Sequence, residues 1–304
     1  MGQANALAVL AIIGAFLFSP GVLSPAQAEL SSSSASLGSP TRLPAALKPF
    51  RSLRGYTAAH SILLKDLASG HTLYAYEPER RLSPASLTKI MSALVILEYG
   101  HLEDHVVVSR QAAAARKIRL GLRAGQIYRL EDLVKAMLIT SANDACLAAI
   151  EHLGGSEAGF VTLMNAKARE LRLRDTHFSN ACGFDAPDHY STAADLASLS
   201  ELALQQPLFR SFVREELEII SAINVNRSYV LRNTNRLLGR IPGVEGIKTG
   251  FTSRAGRCVV LKVSQDGREL LLVLLNARQR WNTASRLISY GLQAPQVTTV
   301  GTFR

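Results

Sequence analysis

From residue 58 to residue 292 the chain alternates short apolar runs with longer segments of helical period. Ser61–Leu64 and Thr72–Tyr76 are compact apolar and aromatic runs around Ala68-Ser69-Gly70, which predicts two strands joined by a turn. Ser83-Pro84-Ala85-Ser86-Leu87-Thr88-Lys89 then opens onto the apolar stretch Ile90–Glu98. Proline suits a first helical turn, and the run behind it predicts a buried helix. A short strand follows at Val106–Val108, and Ala112–Ala115 reads as a helix turn. Helical period returns over Leu130–Ile139, Asp144–His152 and Ser156–Leu171, with a loop at Ser141–Asp144 and a break at Gly154-Gly155. Residues 175–190 have no period and hold Gly183 and Pro187, so they read as a loop; Thr192 is placed to cap a helix over Ala193–Leu204. The chain returns to strands at Gly246–Lys248, Arg257–Val263 and Glu269–Leu275, and a helix at Asn282–Tyr290 closes the pattern. Strands near both ends with helices between them predict an α/β (α+β) domain. Its sheet, antiparallel because the strand-to-strand links are short, is built from both chain ends around a central helical insert.

The flanks read differently. Residues 1–28 have the pattern of a secretory signal: an apolar run from Ala6 to Phe18, then Ala26-Gln27-Ala28 as a small-residue cleavage site. The run is short for a membrane span, and Met1–Asn5 carries no Lys or Arg. Residues 29–57 are a Ser/Pro-rich lead-in, residues 58–292 the folded domain and residues 293–304 a short tail. Export, to a periplasm or cell-wall space, is the expectation.

Charge adds one exclusion. The net charge is +10, densest at Arg116-Lys117-Ile118-Arg119 with Arg123 and at Arg169, Arg172 and Arg174. Neither cluster is interleaved with aromatics, which argues against nucleic acid as a partner and leaves a solvated basic face or attraction to an anionic surface. Cys146, Cys182 and Cys258 show no metal-type spacing. Cys146 and Cys258 lie in apolar runs and are expected as buried thiols; an oxidising compartment would permit one disulfide among the three. His101 and His105 are four apart without the glutamate pattern of a zinc helix, so no metal site is expected.

The candidate chemistry starts at Ser86 and Lys89, three apart and therefore on one helix face. A hydroxyl becomes a nucleophile when a base takes its proton, and a lysine serves only if burial or a neighbouring cation suppresses its charge. Downstream stand Ser141-Ala142-Asn143, in a loop between helices, and Lys248-Thr249-Gly250, at a strand end. Each motif alone is weak. Together, in this order and in these contexts, they point to a serine acyl-transfer site.

S-x-x-K, S-x-N and K-T-G are the signatures of the penicillin-recognising serine enzymes. From about Ala58 to about Leu292 the chain resembles the low-molecular-mass penicillin-binding proteins, the exported D-alanyl-D-alanine carboxypeptidases and DD-endopeptidases. Further carriers of the resemblance are Phe160–Asn165, His189–Leu196, Arg232–Leu238 and Lys248–Thr252. The resemblance implies that Ser86 attacks the carbonyl between two D-alanines and that Lys89 is its base. It implies that Ser141 passes a proton to the leaving amine and that Asn143 holds the substrate amide and orients Lys89. It further implies that Lys248 and Thr249 bind the terminal carboxylate, that Lys248 helps keep Lys89 neutral, and that the Ser86 and Phe251 N–H groups form an oxyanion hole beside Gly250. No cofactor is implied. Peptidoglycan stem peptides are the implied substrates and β-lactams the implied covalent inhibitors. The tail after Leu292 is too short for the second β domain or the amphipathic anchor of longer relatives, which together with Phe251–Cys258 looks more like the short endopeptidase branch. Glu215-Glu216-Leu217-Glu218 only approaches the deacylating E-x-x-L-N element of class A β-lactamases. The alternatives to a carboxypeptidase are thus a DD-endopeptidase, a slow-turnover β-lactam-binding protein, or a β-lactamase.

Overall fold

The structure, a computed structural model, describes residues 59–295; the expected signal, the lead-in and all but the first residues of the tail lie outside them. The chain enters through β1 (Ser61–Asp66) and β2 (Thr72–Tyr76), a hairpin. A 3-10 turn, Ala85–Thr88, then leads into α1 (Lys89–Tyr99). Next come β3 (His105–Val107), the single-turn α2 (Arg110–Ala113), β4 (Ile127–Arg129) and the helices α3 (Leu130–Ile139), α4 (Asn143–Gly154) and α5 (Glu157–Glu170). After the aperiodic loop follow α6 (Ala193–Ala203), α7 (Pro207–Arg214) and the hairpin β5 (Leu217–Ser221) and β6 (Ser228–Arg232). The described residues end with β7 (Val244–Thr252), β8 (Gly256–Gln265), β9 (Arg268–Leu275) and α8 (Arg280–Gln293).

The main sheet has five strands in the order β2-β1-β9-β8-β7, every neighbouring pair antiparallel. β1 lies against β9, with Ile62 opposite Leu274 and Leu64 opposite Leu272, so the two ends of the domain meet as the periodicity requires. β9 is almost continuously apolar because both faces of the sheet are covered. Leu271, Val273 and Leu275 join the core formed with α1, α3, α4 and α6, while Leu270, Leu272 and Leu274 pack with Ala284, Leu287 and Ile288 of α8. Strand alternation does the sorting. α1 runs through the larger core with every residue from Lys89 to Ile96 buried.

Several boundaries depart from the sequence pattern. Ser86 lies in the 3-10 turn, not in the first turn of the α-helix, and Ala85 has φ +50°. Residues three apart eclipse each other in a 3-10 turn, so Ser86 and Lys89 still share a face. Asn143 and Asp144 are the first residues of α4, not loop. β7 continues to Thr252, which puts Lys248-Thr249-Gly250 inside an edge strand and not at its end. The pattern leaves α7 and the β5–β6 hairpin unassigned. α7 is held by Pro207 in its first turn and by burial of Phe209, Phe212 and Val213, an apolar set too short to stand out as a period.

Candidate active site

The 3-10 turn is built so that three backbone segments meet at Ser86. Thr88 Oγ1 donates to Ala85 O (2.8 Å), and Leu87 N–H donates to Pro84 O (3.2 Å), closing the turn from both sides. β7 comes so close that a Cβ on Gly250 would stand 3.1 Å from Ala85 Cβ and 3.2 Å from Ser86 N, nearer than most side chains tolerate. Glycine is what lets the strand backbone approach Ser86.

Lys89 is fully buried, and its Nζ has three neighbours: Cys182 O at 2.6 Å, Asn143 Oδ1 at 2.8 Å and Ser86 Oγ at 3.4 Å. Burial pulls its pKa down to about 7. A neutral amine has two N–H bonds and one lone pair. The two short contacts are to carbonyl oxygens and take the N–H bonds, so the lone pair is left for the Ser86 hydroxyl. Lys248 is buried too, donates to Thr249 O (3.1 Å), and is held well below its ordinary pKa by burial first and by the Lys89 and Arg280 charges next. The sequence places Lys89 in an apolar helix and near another cation; burial is the cause that lowers its pKa, and its charge in turn helps lower that of Lys248.

Asn143 is clamped from both ends: its N–H donates to Ile118 O (2.8 Å) and its Nδ2 to Arg116 O (3.0 Å), which leaves Oδ1 for Lys89. The neighbouring Asp144 is buried and accepts from the backbone N–H groups of Leu120, Gly121, Leu122 and Ala145, pinning the 116–122 loop to α4. Ser141 has φ +64°, and its buried Oγ has no hydrogen-bond partner among the described residues. A buried hydroxyl left unpaired is available to whatever enters. Thr249 Oγ1 lies 2.7 Å from Thr234 Oγ1, and Arg280 Nη1 donates to both Gly250 O and Cys258 O at 2.9 Å, tying β7 to β8. Ser86, Asn143 and the exposed Phe251 line one cavity of about 240 Å³, together with Ile118, Phe184 and Thr252.

Of the sequence-predicted site residues, Ser86, Lys89, Asn143, Gly250 and Phe251 are therefore brought together, from three separate segments. What the motifs did not reveal is the floor. Cys182 and Cys146 form a disulfide that ties the aperiodic loop to α4; only Cys258 keeps a buried free thiol, with burial pushing its pKa up to about 11. Cys146 is thus not the buried thiol expected of it. Glu215 closes α7 and Glu218 lies 3.7 Å from Lys135, and neither lines the cavity.

His189 supports the turn from below. Ser179 N–H donates to its Nδ1 (3.0 Å), so the ring proton sits on Nε2 and points to Thr88 Oγ1 at 2.8 Å, whose own proton goes to Ala85 O. Protonating Nδ1 breaks this relay. Burial, helped by His177 and opposed by Asp185, holds the His189 pKa down at about 4. Between the unfolded value of 6.5 and this folded value the unfolded chain binds more protons, so stability falls as pH falls through that window. The loss is ~3 kcal/mol. We expect chemical-denaturation curves between those pH limits to show it in the wild type and not in His189→Gln; parallel pH slopes in the two proteins would refute the assignment.

Against known proteins, residues 50–279 match the family profile described as D-alanyl-D-alanine carboxypeptidase. The D-alanyl-D-alanine carboxypeptidase DacF of Bacillus subtilis is 34% identical over 72% of this chain and 57% of its own length. The carboxypeptidase DacC of Escherichia coli is 34% identical over 79% and 63%, so the chain spans about three fifths of the length of these relatives. A D-alanyl-D-alanine endopeptidase of Pseudomonas aeruginosa is 29% identical over 80% of both chains. Among solved structures, the Streptomyces K15 DD-transpeptidase superposes with a TM-score of 0.75 at 26% identity, over 78% of this chain and 98% of that one.

Proposed function

Because the chain belongs to the D-alanyl-D-alanine carboxypeptidase family, we propose that it is a serine DD-peptidase that hydrolyses peptidoglycan stem peptides through an acyl-Ser86 intermediate. The carrying observation is the arrangement at Lys89. Two carbonyl acceptors take its protons and its lone pair is left for Ser86. Ser86 Oγ attacks the carbonyl carbon between two D-alanines as its proton passes to Lys89. The oxyanion is met by the Ser86 and Phe251 N–H groups, each such donor being worth about 3 kcal/mol. The carbonyl carbon–nitrogen bond then breaks, the proton reaches the leaving amine by way of Ser141, and D-alanine departs. Water attacks the ester next, with Lys89 again taking the proton, and frees Ser86. Asn143 orients the lysine and the substrate amide, while Lys248 and Thr249 hold the terminal carboxylate. The peptidase domain is residues 58–292, acting in the periplasm or cell-wall space after export on residues 1–28. Among the described residues no helix is long and apolar enough to cross a membrane.

β-Lactams enter as covalent inhibitors, because an acyl group that cannot leave Ser86 stays on it. We expect mass spectrometry after benzylpenicillin to place one adduct on Ser86, and D-alanine release from a pentapeptide to vanish in Ser86→Ala. Release that survives in Ser86→Ala removes the proposed nucleophile.

A further inference from the structure

Below the outer end of β7 the surface holds a second cavity, of about 340 Å³, lined by Arg236, Arg257, Arg278, Arg280, Trp281 and Asn282. Four arginines line one small volume. Among the described residues Arg81, Arg129, Arg214 and Arg268 have carboxylate partners. None of the four cavity arginines has an ion-pair partner among the described residues. Arg280 is held over the Trp281 ring at 4.5 Å, and its Nε is buried without a hydrogen-bond partner. Burial pushes its pKa down to about 10, opposed by Cys258 and helped to a smaller extent by the Arg257 and Arg236 charges. Repulsion of this kind is relieved by an anion with several charges, and guanidinium forks match carboxylates in geometry.

The place of this cavity says which anion. Arg280 donates to Gly250 O, and the Arg257 guanidinium carbon lies 6.0 Å from the centre of the Phe251 ring, so the arginines adjoin the same strand that carries Lys248 and Thr249. In the peptidase reading, on which this inference rests, Lys248 and Thr249 receive the carboxylate of the leaving residue. A leaving D-alanine ends there. When the bond cut is a cross-link, the leaving group is instead a second stem peptide that continues onward and bears further carboxylates.

We propose that the four-arginine pocket binds carboxylates of that second stem peptide, which makes cross-linked peptidoglycan a substrate of this protein. Arg236 and Arg278 are the residues to change, because the Arg257 guanidinium lies by the Phe251 ring of β7 and Arg280 donates to backbone carbonyls of β7 and β8. In the Ser86→Ala protein, which holds substrate uncleaved, calorimetry measures the affinity for a cross-linked muropeptide dimer and for a monomeric pentapeptide. Adding Arg236→Gln and Arg278→Gln is expected to weaken the dimer about tenfold, the scale of one lost charge-assisted contact, and the monomer less than about twofold. Added salt erodes the same difference. An unchanged dimer affinity, or equal weakening of both ligands, overturns the proposal. So does arginine-dependent binding of inorganic tripolyphosphate by a protein that does not distinguish dimer from monomer, which would assign the pocket to a phosphate polymer. Hydrolysis by the Ser86-intact protein is read separately: arginine-dependent dimer binding without cleavage of either ligand upholds the pocket and overturns the peptidase reading.

Discussion

Lys89→Met lowers the rate of Ser86 acylation by penicillin about a thousandfold while leaving the fold nearly as stable as before. The activity loss is expected from removing the buried amine that adjoins the Ser86 hydroxyl, since positioned general bases contribute factors of about 10² to 10⁴. The stability forecast comes from opposing terms. Holding a lysine at a pKa of about 7, against an ordinary 10.5, costs ~5 kcal/mol at neutral pH, and an apolar side chain of the same length does not incur that cost. Against this, Asn143 Oδ1 and Cys182 O lose their donor, at about 1–3 kcal/mol each. The two sides nearly cancel. The pH profile separates this account from a general packing defect. A folded pKa below the unfolded one means that the full penalty applies below about 7 and fades as pH rises towards 10.5. Wild type should therefore gain stability relative to Lys89→Met across that window, and its acylation rate should climb through pH ~7 as the amine becomes neutral. A variant that acylates within about tenfold of wild type, or a wild-type rate flat through that pH, sinks the role given to Lys89.

Part of this site was legible in the sequence because the information is local. Ser86 and Lys89 are three apart, so any helical turn puts them on one face, and the order of the three motifs supplied the rest. The sheet was equally readable: the run Leu270–Leu275 has no polar position, which only a strand covered on both faces sustains. The floor of the site was not readable, for a physical reason. The acceptor that shares Lys89 with Asn143 is the carbonyl of Cys182, and every residue has a carbonyl. The disulfide was open for a similar reason, since three cysteines allow three single pairings and only folding brings Cys146 within 6.2 Å of Cys182, Cα to Cα. Arg280 lies far downstream of Lys248, at the start of α8, and no spacing rule links them. The β5–β6 hairpin escaped because its inward face offers only Ile220 and Leu231 as buried residues, too few for a period-2 signal.

Gly183→Ala tests that unreadable floor and should slow acylation of Ser86 by penicillin without touching any motif residue. Gly183 has φ +85°, and an added Cβ would stand 2.0 Å from Ala85 O, 2.4 Å from Ala85 C and 2.8 Å from Ser86 N. All three are backbone atoms of the turn that carries Ser86, so no side chain can swing aside. The loop cannot retreat either. Asn180 Oδ1 accepts from both Gly183 N–H (2.8 Å) and Phe184 N–H (2.9 Å), the Cys146–Cys182 disulfide fixes the preceding residue, and Lys89 holds the Cys182 carbonyl. The turn must shift instead, by something near 1 Å, which is enough to cost about a hundredfold in rate when it displaces reacting groups. Forced overpacking adds about 1–3 kcal/mol of destabilisation to the ~1 kcal/mol of the left-handed conformation, so the melting temperature should fall by roughly 5–15 °C. Gly125→Ala supplies the comparison: its φ is +83°, nearly the same, but nothing lies within 4 Å of its added Cβ. It should lose only the ~1 kcal/mol of conformational strain and acylate at the wild-type rate. If the two alanine variants behave alike, steric pressure on the Ser86 turn is not what Gly183 relieves.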